Sequence, residues 1–168
     1  MILWLIGMMG SGKTTVGRIV AKSSGVVFRD TDAEVEARTG MSIAEVWAEG
    51  GEELFVSIET EVIADSARME SAVVATGNAA LTDPATRRII STSGTVVWLR
   101  AQPGELVGRL RGMVGRPLLD AGDDLEATLR DLAIRRSGTY RALAEHTVDV
   151  DGRSPSDIAS EIGELWKS

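Results

Sequence analysis

The sequence predicts an α/β fold in which a mostly parallel sheet is covered by helices on both faces. Short apolar runs recur along the chain, each followed by a helix-start signal, and the first run breaks at a glycine-rich turn that opens directly into a helix. Such alternation of strand and helix is what parallel pairing needs, because each crossover must carry the chain back across the sheet. The chain has 168 residues and 43% hydrophobic content, enough for one compact domain that buries roughly 70% of the surface its unfolded chain exposes. A single domain spanning residues 1–168 is therefore expected.

Each element has its own warrant. Ile2 to Ile6 is an unbroken apolar run ended by Gly7, the pattern of a strand buried on both faces. The helix from Lys13 carries Val16, Ile19 and Val20 on one side. Val26 to Phe28 is a weaker second strand. Thr31 with Glu34, and Ser42 with Glu45, have capping-box spacing, so two short helices are expected there. Leu54, Phe55, Ile58 and Val62 form one stripe of a longer helix that leads to a strand over Ala72 to Thr76. Asp83 and Pro84 start the next helix, Thr95 to Leu99 is a fourth strand, and Pro103 opens another helix. Leu125, Leu129, Leu132, Tyr140 and Leu143 mark a further helical stripe, on which Arg136 also falls, although Gly138 threatens to break it. Thr147 to Val150 is the fifth strand, and Ser154 with Pro155 begins the last helix.

Composition excludes several classes. The net charge of −7, from 18 basic and 25 acidic residues, argues against a surface for nucleic acid, whose footprint would be basic. The absence of cysteine removes disulfides, thiolate metal sites and thiol nucleophiles together. The start MILWLI has no positive flank and runs into glycine, too short for a signal peptide or a membrane span. A cytoplasmic protein with no membrane partner is expected, as a monomer, with an oligomer left open.

In such a fold ligands bind beyond the carboxyl ends of the strands. The first such turn, GMMGSGKTTVG, contains Gly7-x-x-x-x-Gly12-Lys13-Thr14, which meets the phosphate-loop pattern at every fixed position and sits between a strand and a helix. Glycines let main-chain N–H groups converge on phosphate oxygens, and the helix N-terminus adds positive potential. Lys13 reaches the outer phosphates, and Thr14 offers a hydroxyl to magnesium. Gly10, Ser11, Gly12, Lys13, Thr14 and Thr15 are accordingly the candidate ATP-binding residues. After the second strand, RDTD places two carboxylates near a strand end. Asp30 suits a magnesium held through water, and Asp32 suits a base for an attacking hydroxyl; both residues also suit simple helix capping. Arg136, on an inward face, needs an anion or an ion pair. The stretch GMVGRPLLDAGDD is glycine-rich around Arg116 and has the character of a lid, approximately 112–123.

Taken in order, these residues resemble the shikimate kinase family over nearly the whole chain. The likeness extends beyond the phosphate loop to DTDAEVEARTGMSIAEVW, GEELF, VVATG, VVWL, RPLL, the Arg136-x-x-x-Tyr140 spacing and VDVDGRSP. The resemblance implies a three-layer P-loop kinase fold with a five-stranded parallel sheet, a mobile lid and a substrate-binding region over about 32–60. It implies ATP as co-substrate with Mg2+, and a hydroxyl of shikimate or a related cyclic polyol as acceptor. By the same resemblance Asp32 contacts the substrate hydroxyls and acts as base, and Lys13 and Arg116 stabilise the transferring phosphoryl group. Arg136 binds the substrate carboxylate. Arg109, Arg153 and Pro155 match positions that line the adenine.

Two motifs depart from the family, both on the implied substrate wall. After GEELF the family has an arginine that helps hold the carboxylate, whereas this chain has Val56. After VVATG, whose last residue is Gly77, the family continues with two glycines, replaced here by Asn78 and Ala79. Val56 lies about 150° from the middle of the Leu54 to Val62 stripe on a helical wheel, close to Ile63, so it either joins a second apolar face, lies exposed or faces the pocket. One lost charge-assisted hydrogen bond weakens binding by about 1.5 to 3 kcal/mol, or roughly ten- to a hundredfold. A pocket reshaped for an alcohol without the carboxylate is thus the alternative to a true shikimate kinase. A non-catalytic nucleotide-binding module is the rival from another class; against it stand Lys13, Thr14, Asp30, Asp32 and Arg116 together. A switch GTPase is excluded by the lack of an Asn-Lys-x-Asp segment. His146 is expected at a helix end or the surface, and Trp47 near the substrate.

Overall fold

The fold is that of a computed structural model, in which residues 1–77, 79–111 and 124–167 are described. Strand β1 (Ile2–Ile6) is central, flanked in parallel by β3 (Ala72–Ala75) and β4 (Gly94–Arg100). Outside them lie β2 (Val27–Asp30) and β5 (His146–Asp149), giving a five-stranded sheet in the order β2-β3-β1-β4-β5. All four pairings are parallel. The expected sheet is therefore the observed one. Strand ends differ by a few residues, most usefully at β2, where Arg29 and Asp30 stay in register with Val74 and Ala75 and carry the strand on into the RDTD segment.

Alternation along β1 sorts the core into two faces. Ile2, Trp4 and Ile6 point to one side, where they meet Ile63, Ile90, Leu106 and Leu129. Leu3 and Leu5 point to the other, against Val16, Val20, Ile158 and Ile162. The first set belongs to α3 (Ile43–Ala67), α4 (Pro84–Ser93), α5 (Pro103–Leu110) and α6 (Leu125–Leu143); the second to α1 (Lys13–Ser24) and α7 (Pro155–Lys167). A continuous apolar run is what a strand with helices on both sides requires. Trp4 is fully buried and still satisfied, since its indole N–H donates to Ser93 Oγ at 3.1 Å. A third cluster, Val35, Val46, Phe55, Val62 and Ala79, packs α2 (Thr31–Thr39) against α3 beside the sheet.

Three helix expectations are corrected. Thr31 does not cap α2. Asp30 is the N-cap and accepts from the Asp32 N–H at 3.1 Å, because the Thr31 hydroxyl is turned inward to a buried carboxyl of α3. The helix expected from Ser42 and the one expected over Leu54 to Val62 run together as α3, broken only at Gly51, whose φ of 66° and ψ of −162° are outside the helical region and available to glycine without strain. The Ser42–Glu45 capping box is present in full. Gly138 does not break α6, whose stripe of Leu129, Leu132 and Tyr140 is buried while Gly138 faces outward. His146 is the first residue of β5.

Candidate active site

The phosphate loop is positioned by the sheet. Gly7 ends β1 with its would-be Cβ against the Leu99 carbonyl of β4, so no larger residue fits there. Gly12 is the N-cap of α1 in the left-handed region, φ 94°, with no side chain over the first turn and no acidic residue in it. The first N–H groups of a 12-residue helix are thereby left facing the loop, where an anion is stabilised. Lys13 is almost fully buried, its Nζ held at 2.7 Å from Gly7 O and 3.0 Å from Met8 O, a posture that aims the cation across the loop. Arg109 of α5 braces the same loop by donating to Gly10 O at 3.1 Å.

Beside the loop lies a cavity of about 210 Å³, to which Lys13, Thr14 and Thr15 contribute from α1, Asp30 from the end of β2, Asp32 from the first turn of α2, and Thr76 from just after β3. The Thr14 hydroxyl donates to Asp30 Oδ2 at 2.6 Å. Asp30 therefore does two things at once: Oδ1 caps α2 and Oδ2 binds the residue that the sequence pairs with it for magnesium. Two hard oxygen donors side by side at the mouth of a phosphate loop fit a magnesium ion, which takes one or two protein oxygens and fills its shell with phosphate and water. Of the expected phosphate-side residues, Gly10, Gly12, Lys13, Thr14, Thr15, Asp30 and Asp32 all line this one cavity. Ser11 lies buried within the loop. Arg116 lies outside the described residues, as does the whole expected lid over 112–123.

A second cavity, about 410 Å³, lies between α4 and α6 and is lined by Arg87, Arg135, Arg136, Thr139 and Tyr140, together with Glu52 of α3. Arg136 has one guanidinium nitrogen, Nη1, buried without a hydrogen-bond partner among the described residues. Tyr140, deeply buried, meets Met8 Sδ of the phosphate loop at 3.9 Å, which seats this turn of α6 against the loop. Burial pushes the Tyr140 phenol above its usual range, so it stays a neutral donor at physiological pH, with Arg136 working in the opposite direction.

The departures sit elsewhere. Val56 is half-buried against the Val35, Phe55 and Val62 cluster, while Ile63 is fully buried on the sheet side, so the two do not form one face. Ala79 is buried in the same cluster as Val56, where the Trp47 and Phe55 ring centroids lie 6.0 Å apart at a tilt of 35°; Asn78 lies outside the described residues. Gly77 is boxed in, and a Cβ there would strike Glu59 Oε1 and Asp32 Oδ1. Beyond the carboxyl end of β5, Arg153 donates to Asp149 O at 3.1 Å and pairs with Glu161 at 2.7 Å, and Pro155 is the first residue of α7. Sequence reasoning missed Thr31 as a link, and Glu59, Arg87 and Thr76 altogether. Glu59 had a signal, since it stands four residues after Phe55 and three before Val62, on the buried stripe of α3.

Fold and loop together define a P-loop phosphotransferase. The family model for shikimate kinase matches residues 9–167, and this chain belongs to the shikimate kinase family, whose members are ATP-dependent phosphotransferases acting on a hydroxyl group. A shikimate kinase of Thiobacillus denitrificans is 45% identical over 152 residues, covering 90% of this chain and 82% of that protein. One from Moorella thermoacetica is 39% identical over 166 residues, covering 98% and 93%. The structure of shikimate kinase from Acinetobacter baumannii in complex with shikimate superposes with a TM-score of 0.94 at 35% identity, covering 98% of this chain and 91% of that one. A deoxyadenosine kinase from M. mycoides, at 13% identity and TM-score 0.60, shares the fold alone. Among the described residues no helix is long and apolar enough to cross a membrane.

Proposed function

We propose that this chain transfers the γ-phosphoryl group of ATP to a ring hydroxyl of shikimate. The observation that carries the reading is the single cavity in which a phosphate loop, the Thr14–Asp30 pair and the Asp32 carboxylate converge. In that arrangement Asp32 accepts the proton of the attacking hydroxyl, and Lys13 neutralises charge that develops on the phosphoryl oxygens. The main-chain N–H groups at the start of α1 hold the phosphates in line, so positioning and electrostatics supply most of the rate. Thr14 and Asp30 would hold Mg2+, which offsets phosphate charge when bound. Arg116 is assigned by family resemblance to the transferring group, and residues of about 32–60 to the acceptor side.

The shikimate carboxylate is given to Arg136. Its buried Nη1 needs an acceptor, and Arg87 and Arg135 add positive potential to the same cavity. A specific observation favours a second reading: Val56 and Ala79 lie in one apolar cluster where the family pattern has arginine and glycine, which suits a cyclic alcohol without the carboxylate. An ATP-coupled assay with shikimate and a panel of uncharged cyclic polyols separates the two. The first reading expects shikimate to be the best acceptor by kcat/KM. Preference for an uncharged polyol overturns it, and no acceptor-dependent ATP consumption overturns both.

A further inference from the structure

Glu59 is fully buried in the middle of α3, yet among the described residues it is not paired with a cation. Its Oε1 accepts from the Thr31 hydroxyl at 2.6 Å and from the Gly77 N–H at 3.0 Å; that N–H also reaches Thr31 Oγ1 at 2.7 Å. One carboxyl oxygen thus fastens together the first turn of α2, the middle of α3 and the end of β3. Oε2 has no hydrogen-bond partner among the described residues. The charged groups that act on Glu59 from β2 and α2 are Asp30 and Asp32, both acidic; from β3 it meets the neutral Gly77. On its own helix its neighbours one turn away are Phe55, Val56, Val62 and Ile63, all apolar. Asp32 shares this spot, since a Cβ on Gly77 would meet its Oδ1 as well as Glu59 Oε1.

An ionised carboxylate in this place would be desolvated, without a counter-charge among the described residues and beside a second carboxylate, each of which favours the protonated form. We propose that Glu59 is a positioning residue that works as a neutral acid, its bonds to Thr31 and Gly77 fixing Asp32 without adding a second negative charge beside it. Burial pushes the Glu59 carboxyl up to about 8, with Asp32 and Asp30 acting in the same direction and the Thr31 and Gly77 hydrogen bonds against them. The proposal rests on Asp32 being the base, and it adds a limit to the reaction: as pH rises through this range, Glu59 ionises and repels Asp32 from its place.

The test compares wild type, Glu59→Gln and Glu59→Leu in kcat, KM and thermal midpoint across the neutral and alkaline range. Glu59→Leu leaves the Thr31 hydroxyl and the Gly77 N–H without that acceptor, and kcat should fall roughly tenfold or more with KM for ATP little changed. Glu59→Gln keeps the acceptor oxygen and stays uncharged, so it should restore turnover and lack the alkaline fall centred near 8 that wild type shows. The thermal midpoint gives a readout independent of catalysis. The folded state holds the Glu59 proton to higher pH than the unfolded chain, so wild type loses stability between the ordinary 4.5 and about 8, while Glu59→Gln stays flat. Parallel stability profiles, or an alkaline fall unchanged in Glu59→Gln, would overturn the proposal. Should no acceptor be turned over, the proposed function falls, and the stability profiles still decide whether Glu59 is held neutral.

Discussion

The phosphate loop and the wall formed by α3 with the end of β3 meet around Asp32, but they are held in different ways. The loop is fixed by backbone: Gly12 at φ 94°, Gly7 against the Leu99 carbonyl, and Lys13 bonded to two main-chain oxygens. Few substitutions are compatible with that geometry, and this chain carries the loop pattern without a change. The wall is made of side chains on a helix and a short segment, where Val56 and Ala79 can replace family residues and still pack with Val35, Phe55 and Val62. Change of acceptor is therefore easier than change of phosphate donor in this architecture, and the two halves respond differently to mutation.

The largest effect is expected where the halves share a residue. Replacing Asp32 with Asn keeps shape but removes the proton acceptor, and kcat should drop about a hundred- to ten-thousandfold. Nucleotide affinity, measured by titration calorimetry or fluorescence, should stay within a few-fold, because Lys13 and the α1 N-terminus are untouched. Full turnover by this variant would remove Asp32 from the base role and with it the proposed mechanism.

Arg136→Ala tests the proposed carboxylate contact on α6, apart from the loop. Loss of a charge-assisted contact costs about 1.5 to 3 kcal/mol, so KM for shikimate should rise roughly ten- to a hundredfold while KM for ATP holds. An equal rise in both would mean that the α6 turn supports the phosphate loop through Tyr140 and Met8 and does not read the acceptor. Gly77→Ala acts at the junction. Its Cβ has no room between Glu59 and Asp32, and overpacking of this kind destabilises by about 1 to 3 kcal/mol, visible as a lower thermal midpoint together with lower kcat.

What was legible in the sequence follows the same division. The strand run ILWLI, the loop with Lys13-Thr14, the caps at Ser42 and Asp83 and the helix start at Pro155 are local rules, in which the residue that signals the structure is also the one that makes it. Asp30 shows the limit of such rules. Capping and magnesium binding compete as readings of one carboxylate in the sequence, whereas in the fold its two oxygens face the α2 N-terminus and Thr14 separately. Thr31 has the spacing of a cap, but its partner lies 28 residues away, and that partner, Glu59, stands inside an apolar stripe. Which helix face meets which strand end depends on tertiary register, and no spacing along the chain encodes it.

The smallest expected effect is also the most discriminating for the wall. Val56 is half-buried one turn before Glu59, so Val56→Arg can lay its aliphatic stem on the Phe55 and Val62 cluster and carry the guanidinium to the rim. If shikimate is the acceptor, its KM should fall by about three- to tenfold, with the kcat plateau below the alkaline fall unchanged, since the new contact is made equally in ground and transition states. The same substitution brings a cation to within a helical turn of the buried acid, which favours the ionised form and should move the alkaline fall of kcat to lower pH. A changed pH profile with an unchanged KM for shikimate would mean that the guanidinium turns inward to Glu59 and that the carboxylate is held by Arg136 alone. No change in either, with the fold intact, would place Val56 outside the acceptor wall and assign the loss of the arginine to packing.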